Sequence, residues 1–350
     1  MSLALITMSS LKSYDSSSEG IEMIAKSPFK PAWWLGNAHA QTVYPTLMRR
    51  LRSPIDSKER FELPDGDFID LSWAVNGLDS NAPLVILLHG LGGDVNSTYV
   101  AGLLHSFNRR GWRGVLMHFR GASGEPNRLP KAYHSGETAD VDCLLRALAT
   151  REPHTKKAVV GVSLGGNVLL KWLGEQGSQS LIHAATAISV PFQLRQVADR
   201  VNQGLSRVYR SYLLRRLRRV FERKLEHHGD LLPPATKHMD SLRCFWTFDE
   251  HVTAPLHGYP HVHAYYREAS SRQYLANIKT PTLIIHALDD PFMTPDAIPQ
   301  VDELSKDITF ELSRKGGHVG FIAGNIPGKP VYWLDERIPQ FLQAYLSLES

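Results

Sequence analysis

Two hydrophobic periods alternate along this chain, and the switches between them mark out its elements. From Arg60, RFELPDGDFIDLSWAV has two runs of period two on either side of Asp65-Gly66, which predicts a β-hairpin. PLVILLHGLGG follows as an unbroken Leu, Val and Ile run ending in glycines, the pattern of a strand covered on both faces. Val100, Leu103, Leu104 and Phe107 then recur at helical spacing before Gly111, and WRGVLMHF returns to a buried strand. GETADVDCLLRALAT, KKAVVGV, LGGNVLLKWLG and IHAATAISV continue as helix, strand, helix and strand, and TPTLIIHA and DITFELS add two strands later. This rhythm predicts an α/β fold, a mostly parallel central sheet flanked by helices. It breaks once, from Pro191 to about Asn277, where charged helix-like segments follow one another without a strand. We therefore divide the chain into a flexible tail at 1–20, a core at 21–190 and 278–350, and a helical cap insertion at 191–277.

Composition narrows the function classes. With 350 residues, 43% of them hydrophobic, the chain can bury one large core or two modest ones. Lys+Arg 39 against Asp+Glu 35 leaves +4, a mild excess that one basic segment can supply, so no nucleic-acid partner is required. Cys143 and Cys244 are far apart, with no C-x-x-C pair. They suit a reducing compartment as small core residues and make neither a disulfide framework nor a thiolate metal site. MSLALITM has no basic residue ahead of its apolar run, which argues against a signal peptide, and no run of about 18 apolar residues is present to span a membrane. The expected location is cytoplasmic.

The chemistry begins in AVVGVSLGGNVLLKWL, where Ser163 sits between glycines as a strand-like run becomes a helix-like one. Gly161-Val162-Ser163-Leu164-Gly165 fits G-x-S-x-G, a sharp strand-to-helix turn that lifts a serine hydroxyl into an active site, provided that the flanking elements are a strand and a helix. Two other strand ends carry the remaining groups: Asp289 and Asp290 after TPTLIIHA, and His318 in RKGGHVGF after DITFELS. The order Ser, Asp, His is that of the α/β-hydrolase triad. A serine hydroxyl is a weak nucleophile until an adjacent base, here His318, takes its proton, and a carboxylate holds the imidazole in the useful tautomer. Spacing alone does not separate the two aspartates. Asp290 is preferred because Asp290-Pro291 lies where the strand exit turns outward, leaving Asp289 to cap or brace the turn. For the oxyanion hole, the backbone N–H of Leu164, just after the serine, is paired with that of Leu91 in HGLGG. His89, at the end of a buried strand, is assigned a structural role.

Three further clusters compete for a role. In HFRGASGEPNR and YHSGETAD, His118, Arg120, Glu125, Arg128, His134 and Glu137 could hold a polar head group, but bracing of loops by Arg120 and Glu137 is favoured. HGYPHVHAYY offers His257, His261 and His263 without an acidic partner at convincing spacing, so no metal is assigned. RVYRSYLLRRLRRVFERKLEHH is a basic amphipathic helix in the cap; packing over the site is favoured over weak contact with an anionic membrane surface.

GNAHAQT, LPDGDFIDLSW, HFRGASGEPNR, YHSGETAD, GVSLGGN, HALDDPFM and GGHVGF together resemble the YheT branch of the α/β-hydrolases, from about Pro31 to near the end of the chain. Members are bacterial proteins of esterase type, with animal relatives that act on lipid esters. The resemblance implies the triad Ser163, Asp290 and His318, without cofactor or metal. No counterpart of the animal relatives' N-terminal membrane anchor is expected, so their membrane location is not carried over. The expected function is hydrolysis of short- to medium-chain carboxylic esters or acylglycerols through an acyl-enzyme. A peptidase or amidase, an acyltransferase, and a ligand-binding fold without catalysis are the alternatives. A small-molecule ester is the expected partner.

Overall fold

Strands without a polar face need cover on both sides, and helices from the same chain supply it. The computed structural model describes residues 24–347, so the tail expected at 1–20 lies outside the described residues. Nine strands form one sheet: β1 (Ile24–Lys26), β2 (Ser57–Glu62), β3 (Phe68–Ala74), β4 (Leu84–Leu88), β5 (Arg113–Met117), β6 (Lys157–Val162), β7 (Ala184–Ile188), β8 (Thr282–Ala287) and β9 (Ile308–Ser313). Their order is β1-β9-β8-β7-β6-β4-β5-β3-β2. All neighbours are parallel except the β2–β3 hairpin and the β3–β5 pair, so the antiparallel end sits at one edge. Ile86 lies opposite Val115 on one side and Val159 on the other, which aligns the strand ends that carry the candidate chemistry.

Alternate residues of each central strand serve opposite layers. Ile86, Val115 and Val159 pack with α3 (Ala139–Arg151) and α4 (Leu164–Gln176); Leu87, Leu116 and Val160 pack with α2 (Thr98–Asn108) and α10 (Leu334–Leu346). Each fully buried large side chain in these layers, such as Trp172 or Phe107, contributes about 1.5–3 kcal/mol. Cys143 and Cys244 are half-buried with free thiols, rather than the core residues expected.

Between β7 and β8 every regular element is helical: α5 (Leu194–Arg200), α6 (Ser206–His228), α7 (Phe245–Phe248), α8 (Ala254–Leu256) and α9 (Val262–Ala269), with a π turn at Asp249–Thr253. Leu214, Leu217, Phe221, Leu242, Phe248 and Val252 give this segment an apolar cluster of its own. Elements absent from the sequence reading are β1, α1 (Ala38–Met48), α10 and the short antiparallel pair β10 (Ile322–Ala323) and β11 (Val331–Tyr332). α10 carries a legible signal, Leu334, Ile338, Leu342 and Leu346 buried at spacing four. α1 carries no apolar period, because its one buried side chain is Gln41. Among the described residues no helix is long and apolar enough to cross a membrane.

Candidate active site

β6 ends at Val162 and α4 begins at Leu164, so Ser163 alone makes the turn, at φ 52° and ψ −116°. A non-glycine residue in that region costs about 1–3 kcal/mol and persists only where its surroundings hold it. They do: Ser163 N–H donates to Ile188 O at 2.8 Å, and its carbonyl accepts from Asn167 N–H at 3.0 Å. The spacing of glycines around the serine is steric. A Cβ on Gly161 would stand 2.5 Å from Gly165 O, and one on Gly165 would stand 2.7 Å from His89 O.

Ser163 Oγ lies 3.0 Å from His318 Nε2, and His318 Nδ1 lies 2.8 Å from Asp290 Oδ2. Asp290 is buried, and its other oxygen accepts from Phe292 N–H at 2.8 Å. Asp289 Oδ1 instead accepts from Gly317 N–H at 2.9 Å, so it braces the loop that carries His318. Burial raises the Asp289 carboxyl above its ordinary pKa, while the Gly317 N–H pulls it back. The structure thus places Asp290, and not its neighbour, against the imidazole.

A third support for that loop comes from α1, through residues of the GNAHAQT stretch. Asn37 caps the helix by accepting from His39 and Ala40 N–H at 2.8 and 3.3 Å. Gln41 bridges Leu35 O and both backbone groups of Ile322. Thr42 Oγ1 accepts the His318 N–H at 2.9 Å. A Cβ on Gly317 would stand 2.5 Å from Ala38 O, which explains the glycine beside the imidazole. The Asn37 cap was the available sequence signal for this helix.

Two N–H groups, those of Leu164 and Leu91, have no hydrogen-bond partner among the described residues. Leu164 is the first residue of α4, where the helix leaves its donors unpaired. In the loop after β4, Gly90 N–H donates to Tyr99 Oη at 3.0 Å, Gly92 N–H to Tyr133 Oη at 2.9 Å and Gly93 N–H to Gly90 O at 2.8 Å. The Leu91 N–H makes no hydrogen bond among the described residues. His89 is wholly buried, with Nδ1 on Gly90 O at 2.8 Å and Nε2 accepting Phe119 N–H at 3.3 Å. Burial, then the nearby His118, pushes its pKa down to about 3, so it stays neutral and holds the loop.

Ser163 and His318 open into an apolar cleft of about 600 Å³, mouth included, walled by Leu91, Pro191, Leu194, Leu213, Tyr265 and Phe292. Leu91, Leu164 and Asp249 also line an adjoining chamber with His134, His257 and Leu217. Asp249 accepts from Thr253 Oγ1 at 2.6 Å and Tyr266 Oη at 2.8 Å, and burial raises its pKa to about 6. His134, Glu137 and His257 bring three ligand-capable atoms within 4.8 Å of one another. The Gly136 N–H donates to His134 Nδ1 at 3.1 Å, however, which puts the ring proton on Nε2, facing Glu137 at 3.8 Å. A metal-bound imidazole has the reverse arrangement, its second nitrogen donating. The trio fits a packing contact between the 134–137 loop and the helical segment, the His134 and His257 rings 4.2 Å apart, better than a metal site. His261 instead caps α9 by accepting from Ala264 N–H, and His263 packs on Trp246.

The charge-dense loops brace. Arg120 is buried against both oxygens of Asp140 at 2.7 and 2.6 Å, with Asp65 at 2.8 Å and Asp67 at 3.0 Å. His118 Nε2 lies 2.9 Å from Ser72 Oγ, and Glu125 and Arg128 form surface pairs with Arg60 and Glu62. In α6, Arg216 pairs with Asp94 at 2.7 Å, and buried Lys224 donates to Leu129 O and Lys131 O, its pKa lowered by burial to about 8.

The alpha/beta hydrolase fold model matches residues 83–324. The chain is 42% identical to the candidate esterase YheT of Escherichia coli K12, over 94% of this chain and 97% of that protein. It is 26% identical to the phospholipase ABHD3 of Homo sapiens, over 92% and 80%. In overall shape it resembles the Pyrococcus furiosus esterase Pf2001, with a TM-score of 0.53 at 17% identity, over 93% of this chain and 98% of that one.

Proposed function

This chain belongs to the α/β-hydrolase fold family and to its YheT branch, and from that membership we propose that it cleaves carboxylic esters by way of an acyl-serine. The observation that carries this reading is the unbroken hydrogen-bonded line from Ser163 through His318 to Asp290, beside the unpaired N–H groups of Leu91 and Leu164. Relatives named esterase, phospholipase and, in Saccharomyces cerevisiae, monoacylglycerol lipase support ester chemistry.

In this mechanism Ser163 Oγ attacks the ester carbonyl while His318 Nε2 takes its proton. Asp290 stabilises the imidazolium and stays ionised. The carbonyl oxygen, now negative, receives hydrogen bonds from Leu91 and Leu164 N–H. His318 then protonates the departing alcohol, leaving the acyl group on Ser163, and water repeats the sequence to release the acid. No metal or organic cofactor enters these steps. Segment 191–277 acts as a cap, and the apolar cleft beneath it takes the acyl chain.

The test is a fluorophosphonate with the purified protein. It should attach to one serine, and Ser163→Ala should abolish both the adduct and hydrolysis of p-nitrophenyl esters while leaving the thermal transition in place. An adduct that survives the substitution, or turnover confined to amides, would sink the proposal.

A further inference from the structure

The two in-plane hydrogen bonds of His318, to Ser163 and Asp290, leave one freedom: the ring can tilt about the line joining its nitrogens. What closes that freedom is a column of rings. Phe292 stacks on His318 with centroids 4.1 Å apart and planes 25° apart. Tyr209 stacks on the far side of Phe292 at 5.0 Å and 26°, and His39 lies over Tyr209 at 5.7 Å and 19°, its Nδ1 3.0 Å from the Tyr209 hydroxyl. Tyr209 belongs to the first turn of α6.

The same helix touches the reacting loops twice more. Buried Ser206 Oγ donates to Pro291 O at 2.7 Å, next to Asp290. Further along, Arg216 pairs with Asp94 and lies 3.0 Å from where a Cβ on Gly92 would stand, beside Leu91. One helix of the 191–277 segment therefore bears on the loop of the carboxylate Asp290 and on the loop of the oxyanion donor.

We infer that Tyr209 is a positioning residue for His318, acting through Phe292, so that the seating of α6 and the alignment of the reacting groups are a single device. This rests on the hydrolase reading above. Phe292 sits on a loop and is half-buried, and Tyr209 covers the face that His318 leaves open. Without that cover Phe292 is free to swing, and the imidazole loses the surface that sets its tilt. A small misplacement of a general base falls on the chemical step and not on substrate affinity.

The experiment uses the full chain and p-nitrophenyl acetate, whose acyl group is too short to depend on the depth of the cleft. Tyr209→Ala should lower kcat by roughly 10- to 100-fold with little change in KM, and slow fluorophosphonate labelling of Ser163 in proportion. Tyr209→Phe, which keeps the stacked ring and loses only the hydroxyl, should restore most of both. Phe292→Ala should show the same defect, and combining it with Tyr209→Ala should add nothing, because the two act in series. Should Tyr209→Ala not fold, Tyr209→Leu keeps the volume without the flat face and should show the same loss. Unchanged kcat, a rise in KM alone, failure of phenylalanine to rescue, or additive effects would overturn the inference. A wild-type chain that neither labels nor turns over esters would overturn the hydrolase reading and this inference with it.

Discussion

At the carboxyl edge of the sheet backbone presses on backbone, whereas in the segment 191–277 side chains do the holding. The glycines show the contrast. A Cβ on Gly161 or Gly317 would stand 2.5 Å from a carbonyl oxygen, while around Gly204, Gly229 and Gly258 nothing lies within 4 Å of the same position. The edge is built so that Ser163 and His318 can occupy only one place. The helical segment is held by replaceable contacts: an apolar cluster around Leu217 and Phe221, the Arg216–Asp94 pair, and Lys224 on two carbonyls. A site made this way can keep its chemistry while the walls of its cleft change.

The two aspartates break this comparison most sharply, because they are adjacent residues of the same edge. Asp290→Asn should lower kcat by roughly 10⁴, by analogy with the orienting carboxylate of a triad protease, while Asp289→Asn should cost far less, since it removes only a brace on Gly317. Steady-state kinetics on folded variants checks this, and a reversed ranking would reassign the third member.

Next in size is the glycine contrast itself. Gly165→Ala drives a methyl into Leu88 and His89 carbonyls and should destabilise by about 3 kcal/mol. Gly204→Ala meets open space and should cost only the left-handed backbone, about 1–2 kcal/mol at its φ of 50°. Chemical denaturation of the two variants measures both, and equal losses would contradict the distinction between edge and helical segment.

Acid should act on both regions together. His118 and His286 in the core and His257 in the helical segment are held neutral by burial, with pKa values pushed down to about 4 from an ordinary 6.5; neither ring nitrogen of His286 has a hydrogen-bond partner among the described residues. The unfolded chain takes up protons near 6.5 that the folded chain refuses until about 4. Stability is therefore full above 6.5 and falls as pH drops from 6.5 toward 4, by at most about 1.4 kcal/mol per pH unit for each histidine. Denaturation midpoints between pH 7.5 and 4.5 should show that slope, and His257→Gln should reduce it. A flat profile would mean that these rings are not held neutral.

The smallest effect belongs to the cleft wall. Each methylene of an acyl chain buried there adds about 0.8 kcal/mol, so kcat/KM for p-nitrophenyl esters should rise from acetate to a maximum and then fall. Leu213→Trp, in the wall beside Ser163, should move that maximum to shorter chains and leave the acetate rate nearly untouched. Leu217→Trp, in the adjoining chamber, tests whether the chain extends past Leu91. A profile that neither change shifts would remove the acyl chain from this cleft.

Most of this protein's framework is written locally in its sequence, because a strand buried on both faces or a helix with an apolar stripe must show its period in the residues themselves. The elements from the hairpin around Asp65 to β9, the strandless segment after Pro191 and the glycine spacing around Ser163 were legible for that reason. Where an element buries no apolar side chain the period vanishes, as in α1, whose Gln41 and Thr42 hold the C-terminal loops by hydrogen bonds alone. Spacing does not separate Asp289 from Asp290, and the preference for Asp290 rests on the turn before Pro291 and on resemblance; neighbouring carboxylates on a turn diverge, and the landing point of the Gly316–Gly317 loop is what sets Asp290 on His318 and Asp289 on Gly317. His257 joins His134 instead of its sequence neighbours His261 and His263, and Tyr209 reaches His318 through Phe292, for the same reason. Periodicity and turn chemistry are properties of short stretches. Contacts between residues a hundred positions apart are decided by how the packed layers place their loops.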